Sequence, residues 1–488
     1  MLDIRTLSFL LPGAAMCAFA ARLPLPPLAW FGLALVLHAS RSMPAFSGAG
    51  SVWLVWLAVL ALEQRGIMPV RGPAYFALVA LMAATMTLPF ALDRVALPKT
   101  GGLSAALVFP AAWVAVEFLR ARLTTGATWG SIAYTQFGDY PLMQVAAYAG
   151  IWGISFLIAW AASTMEFAWR FRANWTAVLV PVTVCAVVLS AIHLAGALRV
   201  SRAPAGLHAV RVAALNRPAG LFAPGEITRI TEGAVPPGRR DAVAGKLCRL
   251  HDWFLDGSRR EARAGARLVV WPEQNLLVFA EDEPHFLERA RRVAVDERVF
   301  LAMGMGTIHA GDKLPFENKL VLIDPGGRSV VSYRKSHAVP GWEAGIMWPG
   351  DGRVPVVPTT LGRLAGAICY DADFPEFTRQ AGQSDADLLI LPANDWKDIK
   401  DLHFRMHAFR AIENGVGLIR AAASGISGAF DPWGRVLGMT DFLAPGDGTL
   451  IVQVPAGGIR TLYSRTGDLF AWLCVAGIAG ALAAVFRG

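Results

Sequence analysis

Uncharged apolar runs of membrane-spanning length occupy much of the first 200 residues of this chain and recur at its C-terminal end. A helix that crosses the hydrocarbon core of a bilayer needs about 17–25 predominantly apolar residues. No Asp, Glu, Lys or Arg occurs in residues 72–92, 142–165, 177–198 and 469–486, and shorter or proline-containing runs cover residues 6–21, 23–40, 42–62 and 101–116. These runs predict an α-helical transmembrane bundle of about eight spans, seven before residue 200 and one at the end.

The composition agrees with a membrane protein and excludes several other classes. Only 17% of the residues are charged and the mean hydropathy is +0.44, whereas soluble domains carry about 25% charged residues. A disordered tail, a collagen-like chain and a disulfide scaffold are excluded, and the five cysteines follow neither a disulfide framework nor a zinc-site spacing. The net charge of +8 comes mostly from scattered arginines. It therefore favours an anionic membrane surface as partner over nucleic acid.

The composition of the chain changes between about residues 199 and 467, where charged residues become frequent. Short apolar segments predict buried strands at residues 208–215, 267–271, 300–308, 319–323, 329–333, 364–368, 388–391, 416–420 and 450–454. Amphipathic patterns predict helices at residues 241–264, 284–297 and 400–414. Alternating strands and helices indicate an α/β layered domain. We therefore expect a seven-span domain at residues 1–200, an α/β domain at 201–466 and a last transmembrane helix at 467–488.

The number of spans predicts where the α/β domain lies. Seven crossings place it on the side of the membrane opposite the N-terminus, and the eighth span returns the C-terminus. If the N-terminus is inside, the short inner loops carry seven basic residues, namely Arg5, Arg41, Arg94, Lys99, Arg170, Arg172 and Arg487, against five in the short outer loops. The positive-inside rule then favours a cytoplasmic N-terminus.

Three segments of the α/β domain each present one reactive group at a predicted strand end. Glu273 follows Trp271-Pro272, Lys335 follows Tyr333-Arg334, and Cys369 follows the strand at residues 364–368. Taken singly, each residue also has a structural interpretation. A Pro-Glu pair often opens a helix, a lysine after a strand is usually solvated, and a cysteine after an apolar strand is usually a small buried hydrophobe.

Taken together, the three groups form a chemical unit. A thiol attacks as the thiolate, so it needs a base and a positive neighbour. Glu273 can take the proton of Cys369, and Lys335 can lower the pKa of the thiol and stabilise the oxyanion of a tetrahedral intermediate. The backbone N–H of Tyr370, in a predicted strand-to-helix turn, is a second oxyanion donor. The pattern predicts an acyl-transfer site.

The motifs that carry these residues resemble those of the nitrilase superfamily. They are Trp271-Pro272-Glu273, Tyr333-Arg334-Lys335-Ser336-His337, and Ile368-Cys369-Tyr370 with Phe374-Pro375-Glu376. More narrowly, they are similar to the motifs of the apolipoprotein N-acyltransferases, as are the stretch from Trp113 to Arg120 and the segment Arg410-Ala411-Ile412-Glu413-Asn414-Gly415. The resemblance covers most of the chain from about residue 105. It implies that the α/β domain is a nitrilase-like α-β-β-α sandwich.

The resemblance also implies a reaction and a location. Members of this family take an acyl chain from a phospholipid as a thioester on the cysteine and pass it to the α-amino group of the diacylglyceryl-cysteine of an apolipoprotein. By position, Cys369 is the nucleophile, Glu273 the general base, Lys335 the oxyanion and thiolate stabiliser, and Glu343 a second functional carboxylate. The expected location is the bacterial inner membrane, with the catalytic domain on the periplasmic side. The expected partners are phospholipid, apolipoprotein and the bilayer.

Several positions depart from the family pattern. The residue two after the nucleophile is Asp371, where the family usually has Glu. Other departures are Gly341-Trp342-Glu343, Asn394-Asp395-Trp396-Lys397 and Ala423-Ser424-Gly425. Because these residues are expected to surround the substrates, a different acyl acceptor is an alternative. Two further alternatives are a membrane-tethered carbon–nitrogen hydrolase that gives the acyl group to water, and a non-catalytic membrane scaffold.

Two other patterns favour structural roles over functional ones. His403 and His407 lie four residues apart on a predicted helix, which is a metal-capable spacing, but no adjacent Glu and no third ligand accompany them. We therefore expect surface or packing roles for both. Gly304 and Gly306 are interpreted as a turn at a strand end. No metal or organic cofactor is predicted.

Overall fold

The computed structural model describes residues 4–23, 25–68, 70–96, 103–203, 209–218, 221–223, 225–233, 237–444 and 448–487. The chain divides into two compact units, unit 1 at Met1–Ala203 with Thr466–Gly488 and unit 2 at Pro204–Arg465. The α-helices are α1 Ile4–Arg22, α2 Pro27–Ser42, α3 Ala45–Glu63, α4 Pro73–Ala96, α5 Leu103–Leu123, α6 Tyr140–Met143, α7 Ala146–Arg170, α8 Trp175–Ser201, α9 Glu226–Thr231, α10 Arg240–Arg263, α11 Glu283–Asp296, α12 Pro375–Gln383, α13 Lys400–Asn414, α14 Leu462–Thr466 and α15 Leu469–Arg487.

Unit 1 has at least one helix within each predicted apolar run, as far as the described residues reach. Four of its helices, α3, α4, α7 and α8, are long and apolar enough to cross a membrane by length and composition. Shorter apolar stretches lie at Thr6–Ala20 and Leu469–Val485. The total of eight spans therefore stays a prediction. Pro24, Lys99 and residues 101–102, on which parts of the prediction rest, lie outside the described residues.

The predicted run at residues 142–165 is not one straight helix. The short helix α6 ends at Met143, and α7 begins at Ala146. Within α7, Gly150 has φ 63° and ψ −170°. A residue with a side chain adopts this backbone conformation only at a steric cost, so the kink depends on glycine.

Buried ion pairs join three helices of unit 1. The guanidinium of Arg41 on α2 donates to both carboxylate oxygens of Asp93 on α4, at 2.7 and 2.8 Å, and to Glu166 on α7 at 2.5 Å. All three side chains are at most 5% exposed. Because an unpaired charge in an apolar interior costs several kcal/mol, these contacts hold the C-terminal ends of α2, α4 and α7 together.

Unit 2 contains two six-stranded sheets. Its strands are β1 Ala209–Ala214, β2 Leu268–Phe279, β3 Phe300–Ile308, β4 Phe316–Ile323, β5 Ser329–Arg334, β6 Val356–Thr359, β7 Gly362–Gly366, β8 Leu388–Asn394, β9 Gly417–Ala423, β10 Ile426–Phe430, β11 Val436–Asp441 and β12 Leu450–Pro455. The first sheet has the order β12-β1-β2-β3-β4-β5, and the second has the order β11-β10-β9-β8-β7-β6. The strands at the centre of each sheet are parallel, which suits their continuous apolar sequences.

The sheets and helices of unit 2 form four layers. Leu250 and Phe254 of α10 and Phe286 and Val293 of α11 pack on the buried side chains of β2 and β3. Helices α12 and α13 pack together, and α13 contacts β9 and β10 on the second sheet. The two sheets face each other, with β2 against β8 and β9. This arrangement confirms the predicted α-β-β-α sandwich.

The second strand of unit 2 differs from its prediction in a way that matters for the site. The strand does not end before Glu273, because β2 continues to Phe279. Its register with β3 shifts between Trp271 and Leu276, as in a β-bulge. Gly304 lies in the middle of β3, so its interpretation as a turn is wrong. A Cβ atom at Gly304 would overlap the carbonyl group of Pro272.

Other differences are local. The predicted first strand begins at His208, which lies outside the described residues, and β1 begins at Ala209. The short strands β6, β10 and β11 were not predicted. Glycine or proline interrupts the apolar pattern in each of them, as in Ile426-Ser427-Gly428. The helix predicted at residues 400–414 is confirmed as α13, and a helix begins at Pro375, as the Phe374-Pro375-Glu376 motif indicated.

Candidate active site

The bulge in β2 places a buried carboxylate at the centre of unit 2. Gln274, immediately after Glu273, has φ 54°, and the pairing with β3 resumes at Leu276. The Glu273 side chain is 2% exposed. Its Oε1 atom accepts a hydrogen bond of 2.8 Å from Nδ2 of Asn318 on β4. The β-bulge therefore places the Glu273 side chain where a regular strand would not place it.

Lys335 lies directly after β5 and points at this carboxylate. Its backbone N–H donates to the carbonyl of Asn318 at 2.9 Å, and its own carbonyl accepts from Gly350 N at 3.0 Å. The Nζ atom donates to Glu273 Oε1 at 2.8 Å and to Glu343 Oε2 at 2.7 Å. With 1% of the residue exposed, the ammonium is a buried charge whose observed partners are two carboxylates.

Glu343 is held as firmly as Glu273, although it comes from a loop. Its Oε2 atom accepts from Val339 N at 2.9 Å. Its Oε1 atom accepts from Gln274 Nε2 at 2.7 Å and from Asn318 Nδ2 at 3.1 Å. Two ionised carboxylates around one ammonium leave a net negative charge, which favours taking up a proton at this place.

Cys369 begins a tight turn after β7. The residue has φ 47°, a left-handed conformation that costs energy for any residue with a side chain, and it opens the 3₁₀ turn Cys369–Asp373. It is 5% exposed, and its sulfur lies 4.0 Å from the carbonyl oxygen of Asn394 at the end of β8. Strained backbone at a reactive side chain is a common feature of nucleophile turns.

The electrostatics of the three groups are linked. Burial raises the pKa of the Cys369 thiol well above its ordinary value; the Glu273 carboxylate raises it further, and Lys335 opposes both. Burial likewise raises the pKa of Glu273 against the opposing effect of Lys335, and Glu343 adds to the increase. Burial alone would lower the pKa of Lys335, but the two carboxylates outweigh it and hold that pKa well above its ordinary value. The resting thiol is therefore neutral and needs a base, and the raised pKa of Glu273 suits that task.

Asp371 connects the lysine segment to the cysteine turn. One carboxylate oxygen accepts from the backbone N–H groups of Ser336 and His337 at 3.2 and 2.8 Å and lies 2.9 Å from Nδ1 of His337. The other accepts from the Tyr333 hydroxyl at 2.7 Å and from Ile368 N at 3.2 Å. The carboxylate is fully buried, so its observed contacts hold protein segments in place.

Tyr370 lies in the same turn, next to the nucleophile. Its ring packs edge-on against Phe374, with ring centroids 5.1 Å apart. Burial raises the pKa of its phenol above the ordinary value. The predicted oxyanion role of its backbone N–H stays a prediction.

Asn318 and Gln274, which donate hydrogen bonds to the two carboxylates, were not predicted from the sequence. Asn318 is fully buried in β4 and lies immediately before the strand predicted at residues 319–323. A buried amide in an apolar strand requires hydrogen-bond partners. The sequence therefore indicates that Asn318 needs hydrogen-bond partners, but it does not identify them.

A second buried network lies beside Cys369. His403 on α13 is hydrogen-bonded through Nδ1 to Asp395 at 2.7 Å and through Nε2 to Asp373 at 3.1 Å. Arg420 Nη2 donates to the other carboxylate oxygen of Asp395 at 2.6 Å. His403 and His407 are both buried, so of the two predicted roles the structure agrees with packing and not with the surface, and the carboxylates of Asp373 and Asp395 accompany His403. Two groups could hold a metal ion within the described part of the chain: Cys369, Asp395 and His403, and Asp373, His403 and His407.

Two of the departures from the family motifs lie in this region. Ser424 has φ 55°, and a Cβ atom at the neighbouring Gly425 would overlap the Asp395 carboxylate. Asp395 is held by Arg420 and His403, and these contacts lower its pKa against the effect of burial. The departures therefore form part of a packed, charge-paired interior.

Two family models match this chain, and a solved structure is similar to part of it. Residues 12–164 match the family model described as the apolipoprotein N-acyltransferase N-terminal domain, and residues 243–463 match the carbon-nitrogen hydrolase model. An amidase from Nesterenkonia sp. is 24% identical and has a TM-score of 0.41, with 52% of this chain and 94% of that chain covered.

Curated relatives cover much more of the chain. An apolipoprotein N-acyltransferase from Geobacter metallireducens is 31% identical over 414 residues, which is 79% of this chain and 75% of the relative. One from Rhizobium rhizogenes is 26% identical over 94% of this chain and 82% of the relative. Similarity of this extent reaches through both the helical and the α/β unit, and the chain belongs to the apolipoprotein N-acyltransferase family.

Proposed function

We propose that the protein transfers a fatty acyl chain from a phospholipid to the α-amino group of the diacylglyceryl-cysteine of an apolipoprotein, through a thioester on Cys369. The observation that carries this proposal is the charge-paired arrangement of Lys335 and Glu273 beside a strained, buried cysteine, in a chain of this family. The apolar helices of unit 1 tether the catalytic unit to the membrane in which both lipid substrates reside.

The first half-reaction forms the thioester. Glu273 takes the proton of Cys369, and the thiolate attacks the ester carbonyl of the phospholipid. Lys335 and the backbone N–H of Tyr370 stabilise the oxyanion of the tetrahedral intermediate. When the intermediate collapses, the carbon–oxygen ester bond breaks and Glu273 returns the proton to the leaving alkoxide. A lysophospholipid departs, and Cys369 holds the acyl chain.

The second half-reaction transfers the chain to the amine. The neutral α-amino group of the acceptor attacks the thioester carbonyl, and Glu273 accepts the amine proton. The carbon–sulfur bond breaks, an amide forms, and the thiolate recovers the proton from Glu273. Both half-reactions use Cys369 and Glu273, so the two lipid substrates must occupy the site in turn. Water must be excluded while the thioester exists.

Glu343 and Asp371 act through other residues in this mechanism. Glu343 is hydrogen-bonded to Lys335 and sets the charge around Glu273. Asp371 holds the segment from Tyr333 to His337 against the cysteine turn. Both are therefore positioning residues in this proposal.

We infer further that the protein resides in the bacterial inner membrane with unit 2 on the periplasmic side. The small excess of basic residues on the predicted inner loops supports this orientation. A membrane-impermeant maleimide applied to spheroplasts should label the exposed Cys248 of α10, and a Cys248→Ala control should remain unlabelled. Labelling that requires permeabilised membranes would reverse the orientation.

The reaction is tested by intact-mass spectrometry of the full-length protein in detergent. Incubation with phospholipid should add one fatty acyl mass that hydroxylamine removes, in the wild type and in Cys248→Ala but not in Cys369→Ala. A diacylglyceryl-cysteine peptide should then discharge the adduct and appear as the N-acyl product.

The alternatives give different outcomes in the same experiment. An adduct that water discharges and the peptide does not would identify a hydrolase. A wild type that forms no adduct, or an adduct that persists in Cys369→Ala, would contradict the thioester mechanism. All of these outcomes are read from adduct masses and do not depend on steady-state rates.

A further inference from the structure

Two histidines and an aspartate meet in the interior of unit 2. His403 and His407 lie on the same face of α13, four residues apart, with ring centroids 4.4 Å apart. Asp373 ends the 3₁₀ turn that begins at Cys369. All three residues are at most 1% exposed. The proposed acyl-transfer mechanism uses none of them.

His407 is the unusual member of this group. Neither of its ring nitrogens has a hydrogen-bond partner among the described residues, although both are buried. A buried polar group without a partner is costly, and native proteins usually supply such a group with a protein atom, a water molecule or an ion. A neutral imidazole with free lone-pair capacity is the form that binds metal ions.

The distances suit a small metal ion. One ligand atom from each of the three residues lies within 4.8 Å of the others, and Asp373 Oδ1 is 3.1 Å from His403 Nε2. In a tetrahedral zinc site with metal–ligand bonds of about 2.0–2.1 Å, neighbouring ligand atoms lie about 3.3 Å apart. The Asp373–His403 pair already has nearly this spacing.

The surroundings of His403 resemble those of a metal ligand. Its other ring nitrogen, Nδ1, is hydrogen-bonded to Asp395 at 2.7 Å. Metal-binding histidines usually donate their second N–H to a carboxylate, which fixes the tautomer and leaves Nε2 for the metal. Arg420 holds the second oxygen of Asp395, so that carboxylate is neutralised and oriented.

We propose that Asp373, His403 and His407 form a binding site for one divalent transition-metal ion of the Zn²⁺ class. Two imidazoles and one carboxylate are ligands that Zn²⁺ accepts, with a water molecule as the fourth. Any proton shared between His403 Nε2 and Asp373 is released when the ion binds. The ion joins α13 to the turn that carries Cys369, so its role is structural.

The neighbouring thiol defines the competing arrangement. Cys369, Asp395 and His403 also lie within 4.8 Å of one another. In that arrangement the metal would occupy the nucleophile and inhibit acyl transfer. The Asp395 carboxylate is already engaged by Arg420 and His403, whereas His407 has no partner among the described residues. These contacts favour the site at His407.

The test measures metal content rather than activity. Because the ligands are buried, the ion is expected to enter during folding, so the full-length protein is purified in detergent from cells grown with added Zn²⁺ and washed with a weak chelator. We expect one Zn²⁺ per chain in the wild type, in Cys369→Ala and in a surface-histidine control, His285→Ala. Metal content should fall at least tenfold in His407→Leu and in Asp373→Asn.

The folding of the variants provides the necessary control. His407→Leu removes an unsatisfied buried ring at similar volume, so the metal-free variant should remain folded. A strong chelator should lower the midpoint of thermal unfolding of the wild type by several degrees and leave that of His407→Leu unchanged. A metal-free wild type, or zinc retained in His407→Leu but lost in Cys369→Ala, would overturn the proposal. Failure of acyl transfer alone would not bear on it.

Discussion

The hydroxyl of Tyr333 donates a hydrogen bond of 2.7 Å to Oδ2 of Asp371. Tyr333 lies at the end of β5, two residues before Lys335, and Asp371 lies two residues after Cys369. The bond is buried, with Tyr333 4% exposed and Asp371 fully buried. It therefore fixes the separation between the segment that carries the ammonium and the turn that carries the thiol.

Replacing Tyr333 with Phe removes this bond without changing the shape of the ring. A buried hydrogen bond to a charged acceptor contributes about 1.5–3 kcal/mol, so the midpoint of thermal unfolding of the detergent-purified protein should fall. Thioester formation should also slow, because the lysine and cysteine segments lose a fixed contact. The exposed Ser332 on the same strand gives the control, and Ser332→Ala should match the wild type in both measurements. Equal stability of Tyr333→Phe and wild type would show that Asp371 does not depend on this bond.

The rate of thioester formation should rise with pH as Glu273 loses its proton. Burial, aided by Glu343, raises the pKa of Glu273 above its ordinary value of 4.5, so the acid limb should lie above pH 4.5. In Glu343→Gln one of the groups that raises this pKa is removed, and the acid limb should move to lower pH. The measurement is the pH dependence of adduct formation in a single turnover, by quenched mass spectrometry. An acid limb that moves to higher pH would contradict the assigned charge of Glu343.

Asn318→Ala should shift the same profile in the opposite direction. The Asn318 amide donates to Glu273 Oε1 at 2.8 Å, and this bond lowers the pKa of the carboxyl. Its loss should move the acid limb to higher pH and destabilise unit 2 by about 1–3 kcal/mol, because a buried carboxylate loses a donor. The pH profile separates this effect from a merely structural one, since a looser fold would lower the rate without moving the limb.

The positions of Lys335 and Cys369 could be predicted because each follows an apolar strand, whereas Glu273 lies within β2 and not at its end. In the structure Lys335 directly follows β5, and Cys369 follows β7 by three residues. Local sequence carries this information, since a buried strand that runs into a polar residue brings that residue to the sheet edge. The helix at Lys400–Asn414 was predicted for the same kind of reason, from its apolar stripe.

The remaining parts of the site depend on contacts between distant segments. Asn318 contacts Glu273 across 45 residues of chain, and Gln274 contacts Glu343 across 69, and no local pattern encodes such partners. The spacing of His403 and His407 was visible, but Asp373 is 30 residues away from His403 in sequence. For that reason the histidines were assigned to the surface or to packing, and only the fold brought the acid to them.

The bulge at Glu273 leads to a prediction that rests on backbone packing alone. A Cβ atom at Gly304 would overlap the carbonyl of Pro272, which is backbone and cannot rotate away. Gly304→Ala should therefore displace the bulge, destabilise unit 2 by at least about 2 kcal/mol and slow thioester formation. Gly245→Ala is the matched control: nothing lies within 4 Å of the added methyl on α10, so the helix should gain about 0.5–1 kcal/mol. If Gly304→Ala shows wild-type thioester formation and thermal unfolding, the close approach of β3 to the Pro272–Glu273 backbone is not what positions the base.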